Sequence, residues 1–196
     1  MRASARLALI GFCALWVPSG LVARSQQLPS AETALQQADA MFAEGRYGEA
    51  REVYRLALAA EDRQVSSRAA TGLVLSLLRV AEFATAYKEA HDLRQAQPDD
   101  PVIAALYGDA LWASGVFEQA ETTFLAALSR DPAHARARHG LARSLAAQNR
   151  LTAALVEAQE AVRLDPLTSD FRYTLAYIHE RMGRFDTAAE AYTRYV

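Results

Sequence analysis

Apolar and small residues in this chain fall where one face of a helix would place them, in paired segments joined by a tight turn. The segment 101–134 shows the pattern best, with one apolar series before Gly115 and a second beginning at Phe117 and ending before Pro132. Glycine suits the left-handed residue that follows a helix. Proline cannot continue a helical hydrogen-bond ladder. The pattern therefore predicts two helices around a turn.

The same hairpin recurs with a fixed period. Proline returns at a constant step of 34 residues, at Pro98, Pro132 and Pro166. Alanine keeps this step on the second helix, except that the first interval is 36 residues; the positions are Ala50, Ala86, Ala120, Ala154 and Ala188. The period predicts five units: 31–66, 67–100, 101–134, 135–168 and an incomplete 169–196. Two extra residues are expected in the first connection, near Asp62–Ser66.

Each recurring residue type has a predicted packing role. Small residues should let two helices cross closely, both at the second-helix alanines and on the first helix at Gly108, Ala38, Ala142 and Ala176. Apolar residues that open the second helix should fill the gap beneath the turn: Tyr47, Phe83, Phe117, Leu151 and Phe185. Left-handed residues are expected at Gly45, Gly115, Gly183 and Asn149, whereas Ala81 departs from that rule. Aspartates beside prolines at the inter-repeat turns should cap the following helix or satisfy turn backbone; they are Asp99, Asp100, Asp131 and Asp165.

These residues resemble the tetratricopeptide repeat. Its pattern W-x2-L-G-x2-Y, A-x3-F, P is matched at Gly108, Ala120, Phe124 and Pro132. Ala104, Tyr107 and Leu111 depart from it, and Ala104 leaves less bulk than tryptophan would. The resemblance implies an all-α fold, a right-handed superhelical solenoid of antiparallel helix pairs with about five repeats. It also implies a concave face, built from the first helix of each unit, that binds a partner polypeptide.

The resemblance places a candidate partner groove on the first helices of units three to five. Arg136, His139 and Arg143 share one helix face at i, i+3 and i+7. Trp112, Tyr173 and Tyr177 should border them from adjacent units. We expect this basic and aromatic surface to receive an acidic or C-terminal peptide. The alternative is a solvated arginine face with rings that only fill space between units. The family's lysine–asparagine carboxylate clamp is not expected, because its positions hold Leu35 and Asp39.

Composition narrows the function further. A net charge of −2 provides no global positive field for nucleic acid, and 52% hydrophobic residues suffice for a core. Arginine carries the basic charge, with Lys88 the only lysine, which is typical of a GC-rich bacterial genome. No catalytic motif is present, and the four histidines lack i, i+4 pairing with each other. We therefore expect no enzyme activity, no metal and no cofactor.

The first thirty residues have the order of a secretory signal. A basic stretch to Arg6 precedes an apolar run from Leu7 to Val17 and then small or turn-forming residues. We predict a signal peptide at 1–23, with cleavage after Ala23 or a few residues earlier, and a linker at 24–30. A lipoprotein is disfavoured because bulky Phe12 precedes Cys13. Export to the periplasm or outside the cell follows, with no membrane span after cleavage.

The final unit stops within its second helix, before the position of its proline. A solenoid usually ends in a capping helix with a polar outer face, and Tyr192 to Val196 do not supply one. Three hypotheses remain: a free-standing exported adaptor, the N-terminal recruiting module of a larger exported protein or enzyme, and an array that self-associates through its last repeat.

Overall fold

The computed structural model describes residues 30–193, which form ten α-helices and no strand. The predicted signal peptide, nearly all of the predicted linker and residues 194–196 lie outside the described residues. The helices are α1 (Ala31–Ala43), α2 (Tyr47–Ala57), α3 (Arg63–Arg79), α4 (Phe83–Ala96), α5 (Pro101–Ala113), α6 (Phe117–Arg130), α7 (Ala135–Ala147), α8 (Leu151–Leu164), α9 (Ser169–Arg181) and α10 (Phe185–Thr193).

Neighbouring helices pack in sequence, so the fold is an all-α repeat solenoid, as predicted. Each odd-numbered helix packs against the even-numbered helix that follows it, and each even-numbered helix packs against the next odd-numbered one. Successive odd-numbered helices also contact one another, from α1 and α3 to α7 and α9. These odd-numbered first helices therefore form one continuous layer.

Within each hairpin, the turn depends on one residue in the left-handed region. Gly45, Gly115 and Gly183 have φ values of 77°, 79° and 75°, and Asn149 has 61°. After α5 the Val116 amide donates to the Leu111 carbonyl at 3.0 Å, which satisfies a carbonyl of the last helical turn. The predicted helix-end positions are confirmed. Ala81 lacks the expected glycine but adopts the same conformation, with φ 59°.

Between units, polar side chains begin the next helix or hold the turn. The carboxylates of Asp62 and Asp100 accept backbone N–H groups in the first turns of α3 and α5. Asp131 and Asp165 accept backbone N–H groups within the turns around Pro132 and Pro166. The structural role predicted for Asp100, Asp131 and Asp165 is confirmed. His134 caps α7 by accepting from the Ala137 amide through Nδ1 at 3.2 Å.

The first connection differs from the prediction. Residues 63–66, where extra loop was expected, form the first turn of α3, which begins after its N-cap Asp62. The boundary drawn between 66 and 67 therefore falls inside a helix. The carboxylate of Asp62 explains the difference, because it satisfies the amides of Gln64 and Val65 and lets the helix start earlier.

Small residues are buried at the helix crossings, as predicted. The second-helix alanines are at most 3% exposed. Two aromatic rings occupy the space beside first-helix glycines: Tyr54 packs on Gly72, and Phe124 packs on both Gly108 and Gly140. A Cβ atom on any of these glycines would overlap the ring. The sequence had indicated Gly108 but not Gly72 or Gly140.

The residues that open the second helices are less buried than predicted. All five lie at the first position of their helices, but Phe83 is 42% exposed and Phe185 is 68% exposed. Tyr47 and Phe117 are half-buried because an aromatic residue of their own unit packs against them. The ring of Phe42 lies 5.0 Å from Tyr47, and that of Trp112 lies 6.1 Å from Phe117. Burial at this position therefore depends on the facing side chain.

Candidate functional site

A groove of about 710 Å³ lies on the layer of first helices, lined chiefly by α3, α5, α7 and α9. The succession of these helices brings side chains from four units to one surface. All six predicted groove residues line it: Trp112, Arg136, His139, Arg143, Tyr173 and Tyr177. Their convergence follows from the repeat register, because each lies on the first helix of its unit.

A buried carboxylate organises the two arginines of α7. Asp109 on α5 is 4% exposed. Arg136 donates to its Oδ2 at 3.3 Å, and Arg143 donates to its Oδ1 at 3.5 Å. A buried carboxylate requires such partners because its desolvation is costly. Asp109 therefore holds both guanidinium groups in the groove.

Arg143 also stacks on an aromatic ring. Its guanidinium carbon lies 3.5 Å from the centroid of the Trp112 ring, a cation–π geometry. Burial lowers the pKa of Arg143, while Asp109 and Asp170 act in the opposite direction. An arginine side chain nevertheless stays protonated in proteins. The arrangement places a charged, partly desolvated guanidinium at the centre of the groove.

His139 differs from the expectation of a three-residue basic cluster. It is 8% exposed, and its Nε2 lies 2.8 Å from Thr174 Oγ1. Its ring packs 4.6 Å from that of Phe171. Burial first, and then the charges of Arg143 and Arg136, hold the pKa of His139 well below its usual range. The imidazole is therefore neutral near pH 7 and packs α7 against α9.

Tyrosines form the edge of the groove on α9. Tyr173 is 49% exposed, and its ring lies 5.6 Å from that of Tyr192. Tyr177 is 37% exposed, and its hydroxyl accepts from Arg181 at 2.8 Å. Exposed tyrosine rings supply contact area with few rotatable bonds, which favours their use in binding.

An ion pair that the sequence did not indicate crosses the groove. Arg79, the last residue of α3, lies 2.9 Å from a carboxylate oxygen of Asp170 in the first turn of α9. The two residues are 91 positions apart. Each carries an ordinary surface charge, and only the curvature of the solenoid brings them together. Periodicity could have placed both on first helices but not against each other.

The charged side chains that line the groove leave a surplus of positive charge. The lining contains three arginines and two aspartates: Arg79, Arg136, Arg143, Asp109 and Asp170. His139 adds no charge near pH 7. The groove is therefore net positive although the whole chain is net negative. This local contrast favours anionic ligands at the groove.

The two positions of the family's carboxylate clamp hold residues that already have other roles. Leu35 is 1% exposed in the core. Asp39 accepts from the Tyr54 hydroxyl at 2.8 Å and pairs with Arg68 at 2.7 Å. Within residues 30–193, no three His, Cys, Asp or Glu side chains are grouped to hold a metal ion. No helix in that range is long and apolar enough to cross a membrane.

Two tetratricopeptide repeat profiles match this chain. One matches residues 106–166 and 157–196, and the other matches residues 31–55. Together these segments cover more than half of the chain. The chain is a tetratricopeptide repeat (TPR) protein. TPR arrays serve as scaffolds for protein–protein interaction, and the family is generally non-enzymatic.

Solved structures support the TPR fold. A thermophilic TPR protein of Thermus thermophilus is 21% identical with a TM-score of 0.73, covering 85% of this chain and 90% of that chain. MamA from Desulfovibrio magneticus RS-1 is 19% identical with a TM-score of 0.55, covering 84% and 92%. A chain of the APC/C hetero-tetramer Cut9–Hcn1 is 21% identical with a TM-score of 0.70; the match covers 85% of this chain and 31% of that chain. Curated protein sequences give no match.

Proposed function

We propose that this TPR protein is an exported scaffold that binds a carboxylate-bearing segment of a partner protein in its groove. The observation that carries the proposal is the sharing of one buried carboxylate, Asp109, between Arg136 and Arg143. The shared carboxylate positions two guanidinium groups while leaving much of their hydrogen-bonding capacity unused. Both acidic side chains and a C-terminal carboxylate have the chemistry to use it.

Donor counting supports this proposal. A guanidinium has five N–H donors. Among the described residues, Arg136 and Arg143 each donate one hydrogen bond, to Asp109, and both bonds are long. A carboxylate entering the groove would accept further N–H groups from a pre-positioned pair. Trp112 and the exposed tyrosines would add apolar contact beside it.

Three matched fluorescent peptides test the ligand class by fluorescence anisotropy. One has acidic side chains and an amidated end, one has neutral side chains and a free C-terminal carboxylate, and one lacks both. The first or second should bind, and the third should not. Which of the first two binds decides between an acidic and a C-terminal segment. Equal binding of all three would contradict a carboxylate site.

A substitution within the groove supplies the second arm of the test. Arg143→Gln keeps Arg136 as a partner for Asp109 but removes one guanidinium. Loss of a charged hydrogen bond costs about 1.5–3 kcal/mol, so affinity should fall roughly tenfold or more. The control, Arg163→Gln, removes the same charge from an exposed pair with Glu160 outside the groove. Equal effects of the two changes would reject a specific site.

The cellular setting is proposed from the order of residues 1–23. We propose that the array works outside the cytoplasm, alone or as the recruiting module of a larger exported protein or enzyme. An antibody against the repeats, applied to cell fractions, should detect the protein in the periplasm or medium. A band of about 19 kDa after leader removal indicates an adaptor, and a much larger band indicates a recruiting module. Twice the adaptor mass in solution would indicate self-association, the third possibility for the array.

A further inference from the structure

The Arg79–Asp170 pair connects two helices that have no other direct packing between them. Within residues 30–193, α3 and α9 are not packed against each other, because α5 and α7 lie between them in the layer. The side chains meet at 2.9 Å, and they are 50% and 51% exposed. Opening this pair would therefore disturb no helix packing.

Asp170 lies within the electrostatic field of the groove arginines. Besides pairing with Arg79, it acts to raise the pKa of Arg143, while Arg79 acts to lower it. Both residues line the same groove as Arg136 and Arg143. The carboxylate of Asp170 therefore occupies a place in this field that a ligand carboxylate would favour.

We infer that Asp170 is an internal competitor for the partner's carboxylate and that Arg79 is the cation for which they compete. This inference rests on the proposed function and adds a regulatory contact to it. In the free protein, Asp170 holds Arg79 across the groove. In the complex, a carboxylate of an acidic partner segment takes Asp170's place at Arg79, and the groove opens between α3 and α9.

The strength of the contact suits such an exchange. An ion pair between two exposed side chains contributes at most about 1 kcal/mol. A ligand carboxylate can replace Asp170 with no loss of ion pairing at Arg79. Once released, Asp170 remains half exposed to water and near the N-terminus of α9, where a negative charge is favoured. The exchange thus leaves no buried charge unpaired.

Two substitutions of this pair make opposite predictions. Asp170→Asn removes the competitor and frees Arg79, so the acidic amidated peptide should bind roughly three- to fivefold more tightly. Arg79→Gln removes the cation, so the same peptide should bind more weakly. The double variant should bind like Arg79→Gln, because the competitor has no effect without the cation it occupies. If the pair only fixed the groove's shape, both single changes would shift affinity in the same direction.

Matched controls separate this effect from general changes of charge or helix stability. Asp186→Asn removes a carboxylate from the second residue of α10, the position that Asp170 has in α9, but outside the groove. Arg163→Gln removes a guanidinium from the last turn of α8, as Arg79→Gln does from α3. Both controls should leave affinity within twofold of the wild type, with unfolding midpoints measured for every variant.

The outcomes distinguish the inference from the proposed function. Opposite shifts for Asp170→Asn and Arg79→Gln, with a double variant that binds like Arg79→Gln and unchanged controls, support the competitor, whereas additive effects in the double variant reject it. If the wild type binds the acidic peptide through Arg143 but both variants shift together or not at all, the competitor is rejected and the groove site stands. If the wild type binds no acidic peptide and Asp170→Asn does not create binding, the competitor and the acidic ligand are rejected together.

Discussion

At the scale of single residues, Ala81 is a strained position that the repeat tolerates. Its φ of 59° is the left-handed conformation that glycine supplies at the equivalent turns of three other units. The backbone bonds of the turn are retained, with the Glu82 amide donating to the Leu77 carbonyl at 2.9 Å. The hairpin geometry therefore overrides the preference of alanine, at a cost of roughly 1–2 kcal/mol.

Ala81→Gly should stabilise the protein. Ala81 is exposed, so little packing is lost, while the left-handed strain is removed. Because glycine also gains entropy in the unfolded chain, the net increase in the free energy of unfolding should be roughly 0.5–1 kcal/mol. Chemical denaturation monitored by circular dichroism measures it. The control Ala40→Gly, at an exposed interior position of α1, should lower stability. A lower free energy of unfolding for both variants would contradict backbone strain at Ala81.

At the scale of helices, packing between units depends on matching large and small side chains. Tyr54 and Phe124 each face a glycine on the first helix of the next unit, Gly72 and Gly140. Between the second and third units the sizes are reversed. Ala90 stands at the position of the aromatic residue and Leu106 at that of the glycine, and both are fully buried. Neighbouring units thus fit because a large residue on one helix meets a small one on the other.

Gly140→Ala should destabilise the protein although alanine favours helix. Its Cβ atom would overlap the Phe124 ring, and such overpacking typically costs about 1–3 kcal/mol. The control Gly48→Ala has open space around the added Cβ atom and should gain roughly 0.5–1 kcal/mol. Combining Gly140→Ala with Phe124→Leu should cost less than the sum of the single changes, as measured by a double-mutant cycle. Additive costs would show that the ring is not the obstacle.

The sequence predicted these contacts only in part. The family-like position Gly108 was identified because it recurs as a small residue at the repeat period. Gly140 was not identified, because its partner Phe124 belongs to the preceding unit. The residue at each of these two repeat positions changes between large and small from unit to unit, so a search for recurring residue types misses the pair. The same limit applies to Phe83 and Phe185, whose place in the repeat was predicted but whose exposure depends on side chains around them.

At the scale of the whole molecule, the repeat register determined which residues share the groove. Six residues from three units were expected on one surface and line it together. Their charge states and partners could not be predicted, since Asp109 and Thr174 act through tertiary contacts. The Arg79–Asp170 pair depends on curvature accumulated over several units, to which small rotations between neighbouring helices all contribute. No single repeat contains that information.

Three histidines with lowered pKa values, His134, His139 and His179, lie in three successive units and predict that the whole array loses stability in mild acid. Burial lowers the pKa of His134 and His179 and holds that of His139 well below its usual range. Between the folded and unfolded pKa values, the unfolded chain binds more protons, so stability rises with pH. The contribution is complete above about pH 6.5 and declines as pH falls below it.

The free energy of unfolding should therefore fall between about pH 7 and pH 5, before carboxylates with lowered pKa values, such as Asp165, begin to protonate. His139→Gln removes one titrating group while keeping a polar side chain for Thr174, so its stability should change less over this range than that of the wild type. His91→Gln, on α4, is the matched substitution outside the α7–α9 contact. Denaturant unfolding at several pH values measures the slopes. Equal slopes for His139→Gln and the wild type would mean that His139 accepts its proton as readily in the folded array as in the unfolded chain, and would contradict the burial that defines the α7–α9 contact.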